Sequence, residues 1–180
     1  MSADDRLFWL DMEMSGLDPS RDRILEAAAI VTSIRLEELE RYETCVRQPP
    51  EVLSGMNDWC RQHHGASGLT ARVSSGISEA ALDEAFCNLA DRYFQKNPVI
   101  LAGNSIAQDR RFVERYLPRF TARLHYRMLD VSSFKIVFES LFSVPYVKAN
   151  AHRALEDVRE SIGEFRYYVG AIDPSRLPKR

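Results

Sequence analysis

Leu7-Phe8-Trp9-Leu10-Asp11-Met12-Glu13-Met14 is the stretch on which the reading of this chain turns. An apolar run that passes into alternation reads as a buried strand, and alternation puts Asp11 and Glu13 on one face, roughly 7 Å apart at strand spacing. Two buried anions that close repel. Without a counter-charge at least one of them holds a proton, whereas a divalent cation keeps both ionised. Taken alone, the pair is more simply explained as an edge strand whose acids face solvent, so the rest of the chain must decide.

Outward from this strand, Gly16-Leu17-Asp18-Pro19 makes a turn, and residues 24–34 and 38–46 are expected partner strands. Residues 49–76 read as irregular or as short helices. Residues 78–95 carry the helical pattern Leu82, Ala85, Phe86, Leu89, Tyr93. A short apolar strand follows at 99–102, and Gly103-Asn104-Ser105 opens a second helix that ends at Pro118. A fifth strand is expected at 126–129, a helix at 131–142, and a last helix with the stripe Leu155, Val158, Ile162, Phe165 and Val169. Strands first and β/α units later imply an α/β fold: a mixed five-stranded sheet flanked by helices. The whole chain, 1–180, is expected to be one domain, with an ordered core over 7–170 and a flexible tail over 173–180.

Composition narrows the function. The net charge of −2 leaves no large electrostatic footprint for long DNA or RNA, which favours a small anionic substrate. Cys45, Cys60 and Cys87 are odd in number and lack a C-x-x-C spacing, so they suggest neither a disulfide framework nor a zinc knuckle, and they fit a reducing compartment. The N-terminal residues lack the pattern of a signal peptide, and no stretch is apolar for long enough to span a bilayer, so a cytoplasmic protein with no membrane partner is expected.

Three further residues change the reading of the acidic pair. In the helix after Ser105 the inward stripe runs Ile106, Asp109, Phe112, Val113, Tyr116, which sets Asp109 on the oily side. By itself Asp109 could pair with an arginine or cap a loop. Asp157 near the start of the last helix could simply compensate the helix dipole. His152 precedes Asp157 by five residues, about 140° around a helix, so it stands at the helix entrance. The combination is harder to explain away. Oxygen ligands from separate elements, with no cysteine, suit magnesium or manganese, and a pair of such ions can serve an in-line phosphoryl displacement with a neutral histidine as base.

These residues lie in the segments WLDMEMSGLDP, MNDW, GNSIAQDRRF, HYRMLDVSS and AHRALEDVRES. In that order they resemble the oligoribonuclease family, DEDDh 3′-to-5′ exonucleases of the ribonuclease H-like superfamily, over about residues 7–168. The resemblance implies that Asp11, Glu13, Asp109 and Asp157 hold two divalent ions, Mg2+ or Mn2+. It makes His152 the general base for hydrolysis of very short RNA, dinucleotides especially, to 5′-mononucleotides. It further implies that Leu17 and Trp59 wall the bases and that Ser105, Arg127, Ser132 and His64 close around the 5′ phosphate. Tyr126 would be presented across a homodimer interface into the partner's site. Residues 134–150, with Phe138, Phe142, Pro145 and Tyr146, depart from the basic, tryptophan-containing pattern of the family, which bears on the loop beside His152.

Two other functions compete with this one. An enzyme of the same chemistry acting on longer DNA or RNA ends would need a longer basic groove than this chain has room for. A catalytically inactive module that only binds nucleotides or a protein would be expected to have lost a ligand, and all five positions carry suitable side chains.

Overall fold

In the computed structural model, which describes residues 6–147, 153–173 and 175, five strands form one sheet. β1 (Arg6–Met14), β2 (Ile24–Ser33) and β3 (Glu38–Cys45) make an antiparallel meander. Three short helices follow: α1 (Pro50–Ser54), α2 (Asp58–Ala66) and α3 (Leu69–Val73). Then come α4 (Glu79–Tyr93), β4 (Val99–Gly103), α5 (Ile106–Tyr116), α6 (Pro118–Thr121), β5 (Leu124–Asp130), α7 (Val131–Phe142) and α8 (Ala154–Gly170). The strand order is β3-β2-β1-β4-β5, with β4 parallel to both β1 and β5. The sheet is therefore mixed, as expected, and β1 lies at its centre.

That central position explains the apolar run. Phe8, Leu10 and Met12 point to one face, where they meet Phe86 of α4, Phe112 of α5 and Phe120 of α6. The Phe8 ring centroid lies 5.3 Å from that of Phe86 and 4.9 Å from that of Phe120, spacings typical of packed aromatic pairs. Leu7 and Trp9 point the other way, toward Val131 of α7 and Val158, Ile162 and Tyr168 of α8. A strand covered on both sides needs carbon at every position. Trp9 satisfies its one polar atom by donating from Nε1 to Thr32 Oγ1 at 2.9 Å. At the end of β4, a side chain on Gly103 would come within 2.7 Å of the Leu10 carbonyl oxygen, so the parallel pairing of β4 with β1 requires glycine there.

Several expectations need correction. β5 spans Leu124–Asp130 and so begins two residues before the expected 126–129. In α5, Ile106, Asp109, Phe112 and Val113 are buried as the stripe predicts, but Tyr116 is half-buried, with its hydroxyl 2.8 and 2.7 Å from the carbonyl oxygens of Pro19 and Asp22. The inner face of α8 consists of Ala154, Val158, Ser161, Ile162, Glu164 and Tyr168, while Val169 is exposed and Leu155 and Phe165 are half-buried. The helix is rotated away from its apolar stripe because Ser161 and Glu164 find a partner inside, the Asn104 amide, which donates to both at 2.9 Å. No helix among the described residues is long and apolar enough to cross a membrane.

Candidate active site

The face of β1 that carries Leu7 and Trp9 continues as Asp11 and Glu13, both half-buried, at the strand's C-terminal end. α8 packs over this end, and its first turn holds Asp157. One ligand atom each from Asp11, Glu13 and Asp157 lie within 4.8 Å of one another. Two elements more than 140 residues apart in sequence thus bring three carboxylates together. Burial, then the charges of Asp157 and Glu26, push the Glu13 carboxyl up to about 7, with Arg153 opposing. Such a trio is costly without a cation and favourable around one.

Asp109 approaches the same strand from the opposite face. It is buried in the first turn of α5, and its Oδ1 accepts from the Met12 N–H at 3.0 Å, between the two β1 acids. Burial pushes its carboxyl up, opposed by backbone N–H groups including that of Met12, and the Glu13 charge adds to the rise. Asp109 is not one of the three acids whose oxygens converge. His152 lies outside the described residues, as do residues 174 and 176–180 of the expected tail. The residue after His152 is held: Arg153 reaches Glu43 at 3.3 Å, and its carbonyl accepts from the Asp157 N–H at 2.9 Å.

Of the four residues expected around a 5′ phosphate, Ser105 and Ser132 meet directly. The Ser105 N–H donates to Ser132 Oγ at 2.9 Å, and the two hydroxyls are 3.2 Å apart. Asp130 Oδ1 accepts from both backbone N–H groups, and Asn104 Oδ1 accepts from the Ser132 hydroxyl at 3.2 Å. Ser105 adopts the left-handed conformation (φ 50°), a strained state for a residue with a side chain, and it does so at the opening of α5. Arg127 instead lies over the Tyr126 ring, 5.2 Å from its centroid, on the exposed edge strand β5. His64 lies elsewhere: it is buried on α2, its Nε2 donates to the Met14 carbonyl at 2.9 Å, and its Nδ1 stands 3.9 Å from Glu13.

The residues expected to face bases are exposed. Leu17 is 71% and Trp59 56% accessible, and the Leu17 carbonyl accepts from Gln108 at 2.7 Å. Beneath Trp59 the His63 ring stacks at 3.9 Å, 21° from parallel. A cavity of about 830 Å3 opens beside this loop, lined by Leu17, Arg21, Asn57 and Arg111 among others. Sequence reasoning missed Asn104 and Asp130, which organise the serines, and Glu26, which faces the start of α8. A lone acid in the apolar run Ile24–Val31 was the available signal for Glu26.

Comparison with known proteins agrees with this geometry. A family model described as Exonuclease matches residues 8–165. The chain is 43% identical to an oligoribonuclease of Coxiella burnetii, over 92% of this chain and 93% of the relative, and 44% identical to one of Hahella chejuensis, over 93% and 95%. It is 37% identical to a human protein named as mitochondrial oligoribonuclease, over 99% of this chain and 78% of that one. Among solved structures, exonuclease I of Methylocaldum szegediense superposes with a TM-score of 0.70 at 20% identity, covering 97% of this chain and 41% of the other. Exonuclease I of E. coli with a 5cy-dT13 oligonucleotide gives 0.71 at 15% identity, covering 94% and 41%. The chain thus spans about two fifths of these exonucleases, and at such identity the likeness is one of fold.

Proposed function

Because this chain belongs to the oligoribonuclease family of exonucleases, we propose that it hydrolyses very short RNA, dinucleotides included, from the 3′ end and releases 5′-mononucleotides. The observation that carries this reading is the convergence of Asp11, Glu13 and Asp157 from remote elements onto one space. Their donors are all carboxylate oxygens, which fit a hard divalent cation, Mg2+ or Mn2+. Asp109, tied to the backbone between the two β1 acids, would be the fourth acid of a ligand set for two ions. When bound, such ions stabilise charge on the attacking and departing oxygens of the phosphodiester.

The chain's own groups do the rest. His152 takes the proton from the attacking water. Leu17 and Trp59 offer the bases an apolar edge and an aromatic face, where stacking is sequence-tolerant and worth about 1 to 3 kcal/mol per base. Ser105 and Ser132, joined at one junction and oriented by Asn104 and Asp130, receive the 5′ phosphate with Arg127, and so close the site to long chains. His64 holds the end of β1 through Met14 and stands beside Glu13. Tyr126, 72% accessible on the edge strand, and the exposed Ile136, Leu141 and Phe142 of α7 support a homodimer in which one subunit's Tyr126 completes its partner's site. Three cysteines without a disulfide support a cytoplasmic protein, read as one domain over the whole chain.

The test is product analysis on 5′-labelled RNA of two to seven nucleotides beside a twenty-nucleotide strand, with Mg2+ or Mn2+. Mononucleotide release is expected to be far faster from the dinucleotide than from the long strand. Equal rates on both would remove the short-substrate reading in favour of a general exonuclease. A dinucleotide bound but never cleaved would favour the inactive module.

A further inference from the structure

Glu26 of β2 is fully buried, directly opposite Glu13 in the β1–β2 register and on the sheet face covered by α8. Both of its oxygens are engaged by donors. Oε1 accepts from Arg72 of α3 at 2.8 Å. Oε2 accepts at 3.3 Å from the N–H of Ala154, the first residue of α8, and lies 3.7 Å from the Arg153 guanidinium. α8 has no capping bond from its own N-cap residue, Arg153. A strand carboxylate supplied from 128 residues away therefore does what a local Ser or Asp normally does, satisfying one of the orphan N–H groups of the helix and favouring its positive end. A second acid, Glu43 of β3, holds the other arm of Arg153 at 3.3 Å.

We propose that Glu26 is a positioning residue for the reaction: through Ala154 and Arg153 it fixes where α8 begins, and so where Asp157 stands relative to Asp11 and Glu13. The Asp157 N–H donates to the Arg153 carbonyl at 2.9 Å, so a shift at Arg153 is passed on within one helical turn. Glu26 is not itself a ligand of the acidic trio, since its oxygens are occupied by the two arginines and the helix N–H. A buried ion pair of this kind adds little net stability, because desolvation offsets the Coulomb gain; what it sets is direction. This inference rests on the proposed metal-binding role of Asp11, Glu13 and Asp157.

The experiment is Mn2+ titration by calorimetry, with turnover of a dinucleotide measured in parallel, on the wild-type protein and on Glu26→Gln, Arg153→Gln and Asp157→Ala, each at a temperature where circular dichroism shows it folded. In Glu26→Gln the amide must turn an NH2 group toward either Arg72 or the Ala154 N–H, so the start of α8 loosens. Mn2+ affinity is expected to fall about 10- to 100-fold, as for outer-shell partners of metal ligands, and kcat is expected to fall with it. KM, which depends on other elements, should stay within about twofold of wild type on this scale. Arg153→Gln separates position from charge. Removing a cation near the acids should tighten Mn2+ binding if charge alone matters, whereas the positioning role requires binding to weaken in both variants. Weaker binding in Glu26→Gln with tighter or unchanged binding in Arg153→Gln overturns the proposal, as does wild-type affinity in both. If Glu26→Gln does not fold, Arg153→Gln alone decides by the sign of its change. Wild-type affinity in Asp157→Ala would instead sink the metal-site reading beneath it.

Discussion

The two halves of β1 share one backbone, one alternation and one central place in the sheet, yet they are built for opposite ends. Leu7 to Leu10 fill both faces with carbon and are essentially inaccessible. Asp11 to Glu13 continue the same pairing with β2, which shifts register only before Met14, but on the face under α8 they replace carbon by carboxylate, and these two acids converge with Asp157. The comparison shows where the strain of a charged site is carried. The apolar half fixes the strand so firmly that its other half can hold like charges together.

The sharpest contrast comes from one substitution in each half. Phe8→Ala empties a space between Phe86 and Phe120 and should cost about 3–5 kcal/mol of stability, read from denaturant unfolding, with turnover per folded molecule retained. Asp11→Asn should do the reverse. Turnover is expected to fall about 10²- to 10³-fold, on the scale of losing one fixed charge-stabilising group, which is about 3 to 4 kcal/mol of barrier, while the unfolding midpoint holds or rises because repulsion is relieved. If both variants lost stability alike, the division of labour along β1 would be wrong.

A third prediction uses pH. In the metal-free protein the Glu13 carboxyl lies at about 7 against an ordinary 4.5, so the folded state binds its proton more tightly than the unfolded state. Its favourable contribution is fully present below about pH 4.5 and is lost as the pH rises through 7. Comparing wild type with Glu13→Gln across that window should show a relative loss in the wild type of about 2 kcal/mol after allowance for solvent screening. Millimolar Mn2+ should abolish the trend; a flat difference without metal would mean the acids are not crowded. The smallest effect is expected at Ser105→Gly. Glycine relieves the left-handed backbone, a strain of about 1 kcal/mol, so melting should hold or rise slightly while KM for a 5′-phosphorylated dinucleotide increases.

The same contrast explains what could be read from sequence. β1 was legible because burial on two faces leaves an apolar run, and Asp11 and Glu13 stood out against it. Ile106 and Phe112 marked the inner face of α5, and with it Asp109. The inner face of α8 is not legible from its own sequence, since the buried Ser161 and Glu164 share a partner, the Asn104 amide, 57 and 60 residues away. Glu26 stands out in sequence only as a lone acid in an apolar strand; its partners Arg72 and Arg153 come from distant segments that no local pattern connects to it. Nor does a serine in a Gly-Asn-Ser sequence declare a left-handed backbone. His63 stacks beneath Trp59 at a four-residue helical spacing, a local pattern that sequence does carry.

The central claim is that Asp11, Glu13 and Asp157 form a cation site. Crystals soaked in millimolar manganese and measured for anomalous scattering test it most directly. A strong anomalous peak among these three carboxylates, lost in Asp157→Ala crystals, is the expected result. Ordered carboxylates with no peak between them, or manganese bound only elsewhere on the surface, would contradict it.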